Sequence, residues 1–240
     1  MRPQREVVSE FALRSLASLA HVSEASMESI TGRLGPETSH PRGAVEIPGG
    51  AAVMLARGWA CRCRDLADGR RQVFGLVIPG DIIGLPIDRH PAHTSQVVAL
   101  TPALAVGLPL LQNETGASET LVLRALAFAQ RAVEEQLFGQ MLRLGHLSAA
   151  DAAEHLFREL SERLARVGLC HRGRFDFPLS QRVLADILGL SGVHLNRSLA
   201  DLRSRGRLES GPGWIRVPDD GRDRRSAPHP SDALCADPKA

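Results

Sequence analysis

Short apolar runs separated by turn residues occupy much of the first half of the chain. Between 42 and 116 the intervening turns contain Gly, Pro or Asp. Short strands at this spacing are typical of an antiparallel barrel or roll. Asp68-Gly69, which lies between two of the runs, is the strongest single hairpin signal. We therefore predict that residues 42–116 form an antiparallel β-roll of the cupin-like jelly-roll type.

The residues before this roll have apolar positions near helical spacing. Phe11, Leu16 and Leu19 follow that spacing, so residues 1–41 are predicted to form an N-terminal helical arm. The segment 32–43 is rich in Gly, Pro, Ser and Thr, and it is predicted to be a loop at the end of the arm.

A long helical period follows the roll. From Ser118 to Leu144 the only Gly or Pro is Gly139, so residues 117–145 are predicted to form one helix. Apolar residues at heptad spacing, with glutamines between them, suit a two-helix interface and predict a dimerisation helix. An amphipathic helix packed on its own domain fits the same pattern. The predicted interface residues are Leu126, Val133, Leu137 and Leu144.

The pattern between 146 and 217 predicts a winged helix-turn-helix, so the fold class is α+β. Ser180 caps a short helix, Gly189 ends it in the left-handed conformation, and Ser191 caps the next helix. Two short helices joined by a tight glycine turn are a helix-turn-helix, and a small hairpin after them forms the wing. Residues 218–240 are rich in Pro, Asp, Arg and Ser and are predicted to be a disordered tail.

Packing the apolar residues of the second short helix inward leaves a polar outer face. The N-terminal half of such a helix enters a major groove, where Arg197 can pair with guanine and Asn196 with adenine. An ion pair with Asp201 is the alternative for Arg197, and capping or solvation is the alternative for the predicted phosphate contacts. The predicted DNA-binding residues are Ser180, Gln181, Arg182, Ser191, Val193, His194, Asn196, Arg197, Ser198 and Arg203.

Charge and composition narrow the function. Residues 171–217 contain eight Arg against four Asp or Glu, a net of +4, whereas the whole chain is +2, which leaves −2 for the rest. Aromatic residues are 4% with no Tyr, which argues against a single-strand binder that stacks bases on rings. No apolar stretch is long enough to span a bilayer and no export signal is present, so a cytoplasmic protein without membrane contact is predicted.

The order of these parts resembles the Crp/Fnr transcription regulators. The resemblance covers about 42–217 and rests on Pro79-Gly80-Asp81-Ile82-Ile83-Gly84 in the roll and on Val193-His194-Leu195-Asn196-Arg197 in the recognition helix. It implies a homodimer that binds a two-fold operator in double-stranded DNA and contacts RNA polymerase. It also implies that the roll senses a signal, which the sequence does not identify.

Several residues depart from the family pattern, and these departures exclude some effectors and predict a difference in the operator sequence. Cyclic-nucleotide binders of the family carry a Glu and an Arg-Ser pair after the Gly-Asp motif. Here no Glu follows and Thr94 stands near the expected Arg, so cyclic AMP is not expected to bind. The N-terminus has no Cys before Cys61, which excludes a Cys-ligated iron–sulfur cluster there. Val193 replaces a Glu of many relatives, so the operator should differ at that base.

Two further pairs are candidates for chemistry. Cys61 and Cys63 are two residues apart, so on a strand both side chains would lie on the same face. They can be interpreted as small core residues, as a redox pair or as half of a metal site. His90 and His93 lie in a predicted loop, as solvated residues or as metal or haem ligands. We predict no metal site.

Three other functions compete with an effector-sensing regulator. One is a regulator of the same fold whose roll holds no ligand. Another is a cupin-like enzyme, which needs a His/Glu metal set; the predicted strands contain no His and only Glu46 as a carboxylate, so no enzyme is predicted. The third is a protein-docking module, which would not need Asn196 and Arg197 exposed together.

Overall fold

The computed structural model describes residues 4–20, 34–45, 52–85, 96–108 and 117–218. The helices in these ranges are α1 (Gln4–Ala20), α2 (Ala117–Gly145), α3 (Ala149–Arg166), α4 (Gln181–Leu188) and α5 (Gly192–Ser204). The strands are β1 (Glu37–His40), β2 (Gly43–Ala44), β3 (Val53–Arg57), β4 (Ala60–Asp65), β5 (Arg71–Val77), β6 (Ile82–Ile83), β7 (Gln96–Ala99), β8 (Ala103–Gly107), β9 (Cys170–His171), β10 (Arg174–Asp176), β11 (Glu209–Gly211) and β12 (Trp214–Arg216).

Two four-stranded antiparallel sheets form the roll. Their strand orders are β1-β8-β3-β6 and β2-β7-β4-β5. Apolar residues of both sheets, among them Leu55 and Val77, pack together between them. The predicted hairpin at Asp68-Gly69 is confirmed, since it joins β4 to β5 and Gly69 has φ +81°.

The first sheet begins earlier than the sequence indicates. The loop prediction for 32–43 is wrong at Glu37–His40, which is β1 and pairs with β8. This edge strand is polar and partly exposed, so it has no apolar alternation to reveal it. Backbone contact fixes it instead: Gly35 N donates to Gly107 O at 2.8 Å.

The long helix α2 uses its predicted interface residues within its own chain. Val133 is 4% exposed and lies in a core cluster with residues of α1 and the roll, against which Leu126 and Leu137 also pack. Val133 is therefore buried within its own chain, whereas Leu126 and Leu137 are only partly buried and their contact with a second copy stays a prediction. A domain-facing row and a dimer seam share the same heptad spacing, so the sequence could not separate them. Leu144 is 47% exposed and lies beside Gly189.

The opposite side of α2 carries large apolar side chains that are exposed in the described part of the chain. Phe138 is 69% exposed and Met141 is 68% exposed, and Leu142 beside them is also exposed. Leu123 is exposed as well, and it lies about five helical turns before Met141, on the same side of the helix. We call this side, Leu123, Phe138, Met141 and Leu142, the outer face.

The C-terminal domain packs its helices on a small sheet with the order β11-β12-β10-β9. Its core joins Phe157 and Leu160 of α3 to the apolar sides of α4 and α5. Phe177 makes edge-on ring contacts with Phe157 and with Trp59 of the roll, at centroid distances of 5.7 and 5.5 Å. The domain is thereby packed against the roll.

The cysteine pair lies in the core. Cys61 is 1% exposed and Cys63 is 0% exposed, and both are free thiols in the cluster that contains Val73. The hydrogen bond with Cys63, together with burial, raises the pKa of the Cys61 thiol. A protonated, buried thiol is a poor nucleophile and metal ligand, which fits the interpretation as a core residue.

Some predictions fall on residues outside the described ranges. These are the disordered tail beyond Pro218 and the interpretations of His90, His93 and Thr94. No helix within the described ranges is long and apolar enough to cross a membrane. Among those same residues, no three His, Cys, Asp or Glu side chains are grouped closely enough to hold a metal ion.

Candidate nucleic-acid interface

The helix-turn-helix has the helix ends that its sequence predicts. Ser180 Oγ accepts from Val183 N at 3.3 Å, and Ser191 Oγ accepts from His194 N at 3.2 Å. Gly189 ends α4 with φ +65°, in the left-handed region. Each serine satisfies a backbone donor that a helix leaves free at its N-terminus. The three residues together set where α4 stops and α5 begins.

The two sides of α5 separate as predicted. Leu195, Leu199 and Leu202 are 0%, 5% and 1% exposed and pack into the domain core. Val193 is 74% exposed. The other outward residues of its N-terminal half are Gly192, His194, Asn196 and Arg197.

The alternative partner of Arg197 is already occupied. Asp201 Oδ1 accepts from Arg205 Nε at 2.9 Å. Arg197 forms no ion pair with any residue in the described ranges, so its guanidinium is available to a ligand outside the chain. A planar guanidinium of this kind suits bidentate pairing with a base edge or a phosphate.

Two of the predicted DNA-binding residues, Ser198 and Arg203, have their side chains engaged within the protein. Ser198 is 6% exposed and its Oγ donates to His194 O at 3.0 Å, so the prediction that it touches phosphate is wrong. Its hydroxyl satisfies a carbonyl one turn back along α5. Arg203 is exposed, but its Nε donates to Ser210 Oγ at 2.9 Å and joins α5 to strand β11 of the wing.

The start of α4 presents the remaining predicted phosphate contacts. Ser180, Gln181 and Arg182 are all exposed there. Arg182 forms no ion pair within the part of the chain that the structure describes. The N-terminus of a helix carries partial positive charge, which favours a phosphate beside it.

Much of the positive charge counted in the sequence is neutralised locally. Arg205 pairs with Asp201, Arg207 Nη2 lies 2.7 Å from Glu154 Oε2, and Arg216 Nη1 lies 3.1 Å from Glu209 Oε1. In addition, Arg174 lies over the Trp214 ring at 4.2 Å from its centroid. Arg182 and Arg197 are among the arginines of this segment that form no ion pair within the described residues.

Polar contacts also fix the helix-turn-helix to the rest of the protein. Gln140 Nε2 donates to Ile187 O at 2.7 Å, near the C-terminal end of α4. Arg143 Nε donates to Gln140 Oε1 at 3.0 Å and Arg143 Nη1 to Glu159 Oε2 at 2.7 Å. These bonds connect α2, α3 and α4 in the interior.

The same set of contacts continues to the roll. Arg163 Nη1 donates to Glu159 Oε1 at 2.8 Å, and its Nη2 donates to Leu76 O at 2.9 Å and to Asp81. Burial opposes ionisation of Glu159, but the charges of Arg163 and Arg143 outweigh it and hold the pKa of Glu159 below its ordinary value. We call Asp81, Arg163, Glu159, Arg143 and Gln140 the interdomain network. No spacing in the sequence indicates this network, because tertiary contacts bring its members together.

Known proteins resemble this chain over the corresponding segments. Residues 153–221 match the family model described as a Crp-like helix-turn-helix domain. The chain is 27% identical to the nitrogen fixation regulation protein FixK of Azorhizobium caulinodans over 150 aligned residues. The alignment covers 61% of this chain and 58% of that relative. The chain is 29% identical over 169 residues to the transcriptional activatory protein AadR of Rhodopseudomonas palustris, which covers 70% of each. The match to the first of these spans less than two thirds of that relative's length.

Solved structures share the fold. FixK2 from Bradyrhizobium japonicum superposes with a TM-score of 0.63 at 23% identity, covering 81% of this chain and 98% of that one. A regulator of the CRP/FNR family from Thermus thermophilus superposes with a TM-score of 0.54 at 20% identity, covering 77% and 94%. Residues 153–221 are therefore similar to a Crp-like helix-turn-helix domain, and the chain as a whole shares the fold of these solved regulators.

Proposed function

We propose that this protein is a sequence-specific DNA-binding regulator of transcription. The exposed N-terminal half of α5, where Arg197 has no partner among the described residues, carries the proposal. Arg197 would read a guanine and Asn196 an adenine, each good bidentate contact supplying about 1–3 kcal/mol of discrimination. Arg182 would bind phosphate at the start of α4 without regard to sequence.

The active form is proposed to be a homodimer joined along the outer face of α2. Phe138 and Met141 are mostly exposed on that face, and covering them with a second copy would remove their apolar surface from water. A two-fold dimer predicts an operator with two half-sites about 10 bp apart, centre to centre.

The roll is proposed to sense a signal in the cytoplasm, and the dimer is proposed to contact RNA polymerase. The resemblance to the family supports both statements. Cyclic AMP is not expected to be the signal, because the sequence after Gly84 lacks the Glu of the family's cyclic-nucleotide binders and has Thr94 near the expected Arg. We propose no enzymatic activity, since the site that the geometry supports is a surface with exposed groove-reading side chains.

Selection of bound sequences from random DNA duplexes tests this proposal. Wild-type protein at moderate salt is expected to enrich a two-fold palindrome. Arg197→Ala is expected to lose the preference at one base in each half-site and about 1–3 kcal/mol of affinity. The control is Arg14→Ala on α1, an exposed arginine whose guanidinium is already paired with Glu10.

The control separates base reading from general charge. Arg14→Ala is expected to select the wild-type palindrome, because it removes one exposed arginine from α1, which packs against α2 and the roll. Equal selection by wild type and Arg197→Ala would contradict the proposed recognition surface. Selection of a single, unrepeated half-site would contradict the proposed dimer.

A further inference from the structure

A cavity of about 240 Å³ with several charged side chains in its wall lies where the arm, the roll and two helices meet. Its walls come from α1, the Pro79-Gly80-Asp81 turn, α2 and the C-terminal end of α3. It lies apart from the DNA-binding side of α5 and from the apolar space between the two sheets. The polar side chains that line it include Ser15, Ser18, Arg131, Glu135, Arg163 and Arg166.

The acidic groups in this cavity already have partners. Asp81 accepts from Arg163, and Glu135 Oε1 lies 3.5 Å from Arg131 Nε. Arg163 is also held by Glu159 at 2.8 Å. The carboxylates are therefore balanced by arginines and do not require a cation.

The groups without partners are all able to donate hydrogen bonds. Ser15 is 1% exposed, and its Oγ is buried without a hydrogen-bond partner. Arg166 lines the cavity and forms no ion pair within the described ranges. A buried hydroxyl without a partner is costly, and a ligand that accepts hydrogen bonds would remove that cost.

The backbone keeps this wall of the cavity close. Gly80 has φ +97°, and a Cβ placed on it would lie 2.6 Å from Val167 Cγ1 and 3.6 Å from Ser15 Oγ. The absence of a side chain at Gly80 therefore allows Val167, at the end of α3, and Ser15 of α1 to pack closely against the turn. The cavity volume lies below the range of about 300–1,000 Å³ that is typical of drug-sized ligands, which favours a small occupant.

We infer that this cavity binds a phosphate group, either as inorganic phosphate or as a small phosphate ester. Arg166 and the outer edge of Arg131 would pair with the phosphate oxygens, and Ser15 Oγ would donate to one of them. The bound group would connect α1, α2 and α3 beside the contact between Arg163 and Asp81. The binding site itself does not depend on the proposed DNA-binding function.

Calorimetric titration with inorganic phosphate tests the inference, using the full chain in chloride buffer at constant ionic strength. Wild type is expected to bind phosphate saturably, and both Ser15→Ala and Arg166→Gln are expected to bind about tenfold more weakly, since tenfold is about 1.4 kcal/mol. Titration with glycerol 3-phosphate distinguishes the two sources. Tighter binding of the ester supports an ester ligand, and equal or weaker binding supports free phosphate.

Arg197→Gln is the matched control, because it removes an unpaired arginine of the proposed DNA-binding surface instead. It is expected to bind phosphate as wild type does, whereas Arg166→Gln is expected to keep the DNA selection of wild type. Arg166 is exposed and Ser15→Ala removes only an unpaired hydroxyl, so both variants should fold. Unchanged phosphate binding in both cavity variants, loss of it in Arg197→Gln, or no saturable binding at millimolar phosphate would overturn the inference.

Discussion

At the scale of single residues, the capping serines Ser180 and Ser191 hold the backbone of the two short helices, whereas Arg197 is proposed to present its side chain to a ligand. Ser191 Oγ accepts from His194 N and so fixes the first turn of α5, the turn that presents Val193. Because the serine acts on the backbone, its loss should affect folding before it affects recognition.

Ser191→Ala is expected to lower the free energy of unfolding by about 1 kcal/mol, the usual cost of losing such a cap. Urea denaturation followed by circular dichroism measures it. Ser191→Asp is the control: it should restore the cap, and its added negative charge should weaken DNA binding. An unfolding midpoint in Ser191→Ala equal to that of wild type would show that the cap contributes nothing.

The local residue features of the interface are predictable from the sequence, and those that depend on tertiary contacts are not. Caps at Ser180 and Ser191 follow from their positions before apolar helical periods. The prediction for Ser198 is wrong because its hydroxyl turns back to the His194 carbonyl, a choice that spacing does not reveal. The bond from Arg203 to Ser210 depends on how the wing folds against α5.

At the scale of secondary-structure elements, α2 has two apolar sides with different roles. The side with Val133 completes the core between α1 and the roll, and the outer face is exposed and is the proposed dimer contact. The apolar residues on both sides of α2 recur at helical spacing. The sequence therefore predicts that a helix forms, but it does not reveal which side packs against the rest of the chain. Strand β1 escapes prediction for the opposite reason, since it is an edge strand without an apolar pattern.

Phe138→Glu is expected to separate the proposed dimer, because it places a charge on the outer face and removes the burial of one Phe per copy, worth about 1.5–3 kcal/mol. Analytical ultracentrifugation at several concentrations measures the mass. Val133→Ala is the control on the same helix: it should cost about 1–2 kcal/mol of stability and leave the mass unchanged. A wild-type mass for Phe138→Glu would place the dimer contact elsewhere.

At the scale of the whole molecule, the interdomain network joins the roll to the helix-turn-helix domain. It begins at Asp81 in the turn after β5 and ends where Gln140 donates to Ile187 O. Glu159 lies at its centre and accepts from both Arg143 and Arg163, whose side chains are 1% and 6% exposed. Two buried arginines depend on this carboxylate, so its charge should control how firmly the domains hold together.

The stability of this arrangement should depend on pH in a definite direction. The folded pKa of Glu159 lies below its unfolded value, so ionised Glu159 stabilises the folded protein above the unfolded pKa of about 4.3. This contribution is fully present at neutral pH and is lost as the pH falls through the lower, folded pKa.

Glu159→Gln is therefore expected to cost about 3–5 kcal/mol at pH 7, the usual cost of leaving a buried charge without its partner. The difference from wild type should shrink as the pH is lowered towards the folded pKa, where wild type also loses the charge. Urea denaturation between pH 7 and the acid limit of folding measures it. Glu209→Gln is the control, since its ion pair with Arg216 is exposed and should be worth less than about 1 kcal/mol. A cost for Glu159→Gln that is the same at every pH would mean that the shape of the side chain, and not its charge, holds the two domains together.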